Sequence, residues 1–118
     1  MDVQAGSEWV VDAYGCDPDA LRSIPRLKAL ANAIIADLQL RPVAAPLWHQ
    51  FSGPAGVTGV VVLSESHLTC HTFPERGYAA LNLYCCRPRA PWPWEARLRD
   101  ALGAQDVRVT ELQRGERT

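Results

Sequence analysis

Hydrophobic and polar positions along the chain change period several times, and each change marks a structural element. Residues 9–14 are apolar and β-prone up to Gly15, which predicts a first strand. Asp17-Pro18 is a helix-start signal, since the carboxylate caps free N–H groups and proline is tolerated in the first turn. A short turn is expected at 18–23. Leu27, Leu30, Ile34 and Leu38 then recur at a period near 3.6, predicting a helix over about 25–38 with Ser23 as its cap. Arg22, Arg26, Lys28 and Asp37 read as its solvated face. Pro42 and Pro46 hold residues 43–51 extended, and 52–56 is loop by composition. Residues 57–64 are almost continuously apolar, as in a central strand buried on both faces. Residues 67–73 alternate instead: His67, Thr69, His71 and Phe73 share one face, Leu68, Cys70 and Thr72 the other. A turn at 74–77 leads into a strand at 78–86. The Pro-rich stretch 87–93 ends strand pairing. A second helix follows at 94–102, with Trp94, Leu98, Ala101 and Leu102 inward and Gly103 as its stop. Residues 107–112 alternate as a last strand.

The order β-α-β-β-β-β-α-β with short connections predicts an α+β fold, a two-layer sandwich of one antiparallel sheet covered by two helices. At 118 residues one domain is expected. The apolar fraction of 47% and charged fraction of 21% are those of an ordinary globular chain. A net charge of −1 gives no reason to expect nucleic acid or an anionic membrane as partner. No apolar run approaches the roughly 20 residues of a membrane helix. Residues 1–8 lack the basic start and apolar core of a signal peptide, so a cytoplasmic protein is expected.

The chemistry concentrates where two strand-like runs meet, at Ser64-Glu65-Ser66-His67-Leu68-Thr69-Cys70-His71-Thr72-Phe73-Pro74-Glu75. A Glu65-Ser66 bond held in a tight turn can be strained so that the Ser66 hydroxyl attacks the Glu65 carbonyl, converting peptide to ester. Of the four cysteines, Cys85 and Cys86 are adjacent and point to opposite faces of a strand. With no Cys-x-x-Cys pair, no metal site is expected. Taken singly, Ser66 suits a turn, His71 a satisfied polar group on a sheet, and Cys86 packing.

In order and spacing this segment resembles the self-cleaving segment of the bacterial S-adenosylmethionine decarboxylases. The resemblance runs from about Trp9 to Gly115 and includes Val11-Asp12-Ala13-Tyr14-Gly15-Cys16, His49-Gln50-Phe51-Ser52 and Leu112-Gln113-Arg114-Gly115. It implies self-cleavage at Glu65-Ser66 into chains 1–65 and 66–118, with a pyruvoyl group made from Ser66 as the cofactor that forms a Schiff base with the substrate amine. It implies His71 as the processing base, Cys86 as the acid that reprotonates the decarboxylated carbon, and Thr58 in place of the usual serine that assists the acyl shift. For substrate binding it implies Phe51 stacked on adenine and Glu75 on the ribose. Phe73 stands where tryptophan is usual, Asn82 where aspartate is common, and Cys85-Cys86-Arg87 replaces Thr-Cys-Gly. Phe51 and Phe73 also suit a plain core role. The implied activity is decarboxylation of S-adenosylmethionine for spermidine synthesis, by a homodimer of processed protomers with sites between subunits. Two alternatives stay open: the same chemistry on L-ornithine or L-arginine, and a non-processing binding or regulatory homologue.

Overall fold

A computed structural model describes residues 6–87 and 90–115. The first five residues, part of the segment read for a signal peptide, and two residues of the Pro-rich stretch lie outside the described residues. The elements are β1 (Gly6–Tyr14), α1 (Pro18–Leu21), α2 (Ile24–Asp37), β2 (Leu47–Gln50), β3 (Val57–Leu63), β4 (Ser66–Phe73), a 3₁₀ turn (Pro74–Arg76), β5 (Tyr78–Cys85), α3 (Trp94–Leu102) and β6 (Asp106–Arg114). Six strands form one antiparallel sheet in the order β2-β3-β4-β5-β1-β6. The expected α+β two-layer sandwich is what forms, with a one-turn α1 added where only a turn was expected. Among the described residues no helix is long and apolar enough to cross a membrane.

Local chemistry sets the helix ends. The Asp17 carboxylate accepts from Asp19 N at 2.9 Å to start α1, and Ser23 Oγ accepts from Arg26 N at 3.2 Å to start α2. Gly103, at φ 67°, closes α3 in a left-handed conformation that only glycine adopts without a Cβ penalty. The stripe Leu27, Leu30, Ile34 and Leu38 is buried, as are Trp94, Leu98 and Leu102 of α3. Each large side chain of this kind contributes roughly 1.5–3 kcal/mol on burial. They pack on one face of the sheet, formed by Trp9, Val11 and Ala13 of β1, Val57, Val61 and Leu63 of β3, Leu68 and Cys70 of β4, and Ala79, Leu81, Leu83 and Cys85 of β5.

Three expectations need correction. Residues 57–64 are buried on one face only: Val57, Val61 and Leu63 are inside, whereas Val62 is 53% exposed. The helices form a single layer, so among the described residues nothing lies over the apolar side chains of the other face. The second extended segment is strand only over Leu47–Gln50, with a lone bridge from Pro42 to Leu63 before it, because its prolines cannot donate to a ladder. Asp37 and Arg22 do more than face solvent. Asp37 accepts from Trp92 Nε1 at 2.9 Å and from Arg97 at 3.3 Å, tying the Pro-rich stretch onto α2. Arg22 Nε donates to Pro54 O at 2.9 Å, and its own carbonyl accepts from Gln50 Nε2 at 2.8 Å, which fixes the 51–56 loop.

Two further contacts hold the β2–β4 region. Trp48 lies flat over Gly59, where an added Cβ would meet the indole at 2.3 Å, so glycine is needed in mid-strand. Thr72, 5% exposed, donates its hydroxyl to Leu21 O at 2.7 Å and accepts from Val57 N at 2.9 Å, linking α1, β3 and β4. Thr72→Val should therefore strand a buried amide and a buried carbonyl, lowering stability by roughly 2–4 kcal/mol in urea unfolding. An unchanged unfolding midpoint would show that these bonds are replaced in the variant.

Candidate active site

Leu63 pairs with Ser66, so Ser64-Glu65 is a two-residue hairpin turn and the Glu65-Ser66 bond sits where β4 begins. On its other side Ser66 pairs with Cys85, and this register aims the next backbone N–H at the junction. Cys86 N donates to the Glu65 carbonyl at 3.0 Å. Arg87 Nε lies 2.5 Å from the Glu65 carboxylate. Ser64, Glu65, Ser66 and Arg87, with Gln39 and Arg41 opposite, line a polar cleft of about 460 Å³. The Glu65-Ser66 bond, its carbonyl and a donor to that carbonyl are thus brought together. A backbone amide on the carbonyl oxygen is the kind of donor that stabilises a tetrahedral oxyanion. The sequence points to Glu65 and Ser66 but not to this donor, because a backbone contact between β5 and the turn leaves no residue signature.

Cys85 is buried and Cys86 exposed, as alternation at the end of β5 demands. Cys86 hydrogen-bonds with Tyr84 on the uncovered side, where partial desolvation first and this bond second raise the Tyr84 phenol above its ordinary range. Tyr84 stacks on His67, with centroids 5.8 Å apart. His67 Nε2 and Asn82 Oδ1 are 3.1 Å apart, Asn82 Nδ2 donates to Glu8 at 2.7 Å, and Arg114 donates to the other Glu8 oxygen at 2.5 Å. The Asn82 bond, followed by the Arg114 contacts, outweighs burial and holds the Glu8 carboxyl below its ordinary value. Glu8, His67 and Tyr84 carry no motif of their own. Only the register, which lines them up as neighbours across β1, β5 and β4, makes them part of this end of the sheet.

The other predicted residues gather elsewhere. Thr58 pairs with His71 across β3 and β4, and Thr58 Oγ1 lies 3.2 Å from His71 Nδ1. Phe51, Thr58, His71, Phe73 and Glu75 line one cleft of about 360 Å³. Phe51 is 55% and Phe73 41% exposed, so neither is core. An edge-on contact with His49, centroids 4.6 Å apart, braces Phe51, and Tyr78 stacks on Phe73 at 5.6 Å.

The eight sequence-predicted residues therefore fall into two groups, Glu65, Ser66 and Cys86 at one end of β4 and Phe51, Thr58, His71, Phe73 and Glu75 at the other. Five residues of strand separate Ser66 from His71, about 17 Å at 3.3–3.4 Å per residue. They also differ in parity, since Ser66 alternates with Leu68, Cys70 and Thr72 of the helix-covered side. Nearness in sequence suggested a single cluster, but an extended backbone spends that nearness as length. Among the described residues no group of three His, Cys, Asp or Glu side chains could hold a metal ion.

Comparison with known proteins bears on the chain as a whole. The family model described as S-adenosylmethionine decarboxylase matches residues 7–115. A protein of Caldicellulosiruptor saccharolyticus named S-adenosylmethionine decarboxylase proenzyme is 40% identical over 114 residues, covering 93% of this chain and 88% of its own length. One of the same name from a Geobacillus species, strain WCH70, is 41% identical, covering 95% of this chain and 89% of its own. The crystal structure of the adenosylmethionine decarboxylase from Aquifex aeolicus superimposes with a TM-score of 0.81 over 99% of this chain and 96% of its own, at 24% identity, a likeness of fold.

The Phe73 end of the face also carries a measurable titration. The Tyr78 hydroxyl donates to Asp12, and this bond first, with desolvation second, pushes the phenol up to about 12. A phenol raised on folding contributes stability that is complete below its unfolded value near 10 and is lost as pH rises toward 12. The urea midpoint should fall between about pH 9 and about pH 11.5, and Asp12→Asn should flatten that fall. A slope unaltered by Asp12→Asn would assign it to another group.

Proposed function

The chain belongs to the S-adenosylmethionine decarboxylase family, and from that premise we propose that it decarboxylates S-adenosylmethionine using a pyruvoyl group made from its own Ser66. The observation that carries this reading is the Glu65-Ser66 junction, held in a two-residue turn with its carbonyl on the Cys86 amide. Cleavage there yields chains 1–65 and 66–118. The group fits the site, since Ser66 begins a strand beside an open polar cleft and pairs with Cys85, whose neighbour Cys86 donates to the Glu65 carbonyl. When formed, the pyruvoyl carbonyl holds the substrate amine and takes up the electrons released as carbon dioxide leaves.

The chain's own residues do the rest. Cys86 N–H polarises the Glu65 carbonyl while Ser66 Oγ attacks it. With Nδ1–H donating to Thr58, His71 Nε2 keeps its lone pair for the α-proton of residue 66. The exposed Cys86 thiol, beside Tyr84, returns a proton to the decarboxylated carbon. Phe51 and Phe73 form aromatic walls for adenine, and Glu75 accepts from ribose hydroxyls.

These roles require two copies. His71 is about 17 Å along β4 from Ser66, too far to reach it in one protomer. The uncovered sheet face exposes Val62, Phe73 and Leu112 and has no layer over it among the described residues, as suits a surface buried against a second copy. A two-fold axis between two such faces, perpendicular to the strands and crossing β4 near Thr69, lays β4 on β4 in reverse. The Phe51, Thr58, His71 and Glu75 end of one copy then faces the Ser66 and Cys86 end of the other, giving two equivalent sites.

Intact mass should show two fragments, 1–65 and 66–118, the second without a free amine and therefore blocked to Edman chemistry, and Ser66→Ala should leave only full-length chain. Carbon dioxide release should be seen with S-adenosylmethionine. Phe51→Ala should lower its catalytic efficiency by about 5- to 150-fold, the worth of roughly 1–3 kcal/mol of stacking, with cleavage intact. Release from ornithine or arginine instead, unaffected by Phe51→Ala, would overturn the substrate. Persistent full-length chain in the wild type would overturn the self-processing reading.

A further inference from the structure

Glu65 is held twice from one short stretch of chain. Its carbonyl oxygen takes the Cys86 N–H at 3.0 Å, and its carboxylate takes the Arg87 guanidinium at 2.5 Å, while Ser66 pairs with Cys85. Three consecutive residues thus fix the backbone, the carbonyl and the side chain around one bond. The ion pair is open to solvent, its two side chains 66% and 38% exposed, so it adds little to the stability of the fold. Its location gives it a different use. A carboxylate on the residue whose carbonyl is attacked puts a negative charge beside the oxygen that must itself become negative, and like charges at that range oppose the step.

We propose that Arg87 is a positioning residue for self-cleavage: it neutralises the Glu65 carboxylate and pins it away from the carbonyl, keeping the Glu65-Ser66 junction competent. The proposal rests on the self-processing reading. In the step concerned, Ser66 Oγ bonds to the Glu65 carbonyl carbon, the carbon–nitrogen bond breaks, and the hydroxyl proton passes to the freed nitrogen. Peptide becomes ester with no other reactant. The negative charge appears on the Glu65 carbonyl oxygen, where Cys86 N–H donates and where an unpaired Glu65 carboxylate would repel it.

The test is a time course of precursor conversion after synthesis, read by intact mass. Arg87→Ala should slow conversion about tenfold with an unchanged melting temperature. Arg87→Lys should recover most of the rate, because it restores the charge. Glu65→Gln combined with Arg87→Ala should also recover it, because the charge that Arg87 offsets is gone. A merely structural arginine would leave the double variant as slow as Arg87→Ala. Wild-type cleavage with Arg87→Ala equally fast would overturn this role alone, whereas a wild type that never cleaves would overturn the reading beneath it.

Discussion

The hydrogen bond from Cys86 N to the Glu65 carbonyl is the contact on which the rest of the account depends. It exists because β4 and β5 are locked in a register that pairs Ser66 with Cys85 and leaves the following amide pointing into the turn. The register is in turn fixed by burial. Leu68 and Cys70 of β4 and Leu81, Leu83 and Cys85 of β5 are under the helices, and a slip of one residue would turn all of them to the uncovered side. Hydrophobic packing on one face thus sets the position of a polar bond at the sheet's end to within hydrogen-bonding range.

The same one-sidedness gives the uncovered face its character. Across it run a row of His49, Thr58, His71, Ala80, Asp12 and Arg108, and another of Val62, His67, Tyr84, Glu8 and Leu112. Ionisable groups here have hydrogen-bonding partners, as Glu8 has Asn82 and Arg114 and Asp12 has Tyr78, while Val62 and Phe73 stand open. A surface of satisfied polar groups interleaved with apolar ones is suited to being covered by another protein surface. In the proposed pairing a second copy does this and supplies the half of the chemistry that each copy lacks at its Ser66 end.

Most of the fold was legible in the sequence because its signals are local. The Leu27, Leu30 and Ile34 stripe, the Ser23 cap, the Gly103 stop and the alternation through 67–73 each depend on a few neighbouring residues, and the three elements they mark formed within a residue of expectation. The 57–64 run misled, because a continuous apolar string looks the same whether its second face meets helices or is left uncovered. Resemblance singled out the eight proposed site residues, but their separation into two groups was not legible. Sequence spacing gives no distance until the segment's form is known, and five residues are about 17 Å in a strand and half that in a helix. The Cys86 amide and the Glu8–Asn82–His67 chain were illegible for another reason: they arise from pairing between strands far apart in the sequence.

The shared site is tested most directly by producing Ser66→Ala and His71→Ala chains together in one cell and following cleavage of each by mass. Neither should be cleaved when made alone. Made together, the His71→Ala chain is cut at Glu65-Ser66, because its intact Ser66 meets the intact His71 of its companion. Cleavage of the His71→Ala chain by itself, or none in the mixture although the two chains co-purify, would contradict it.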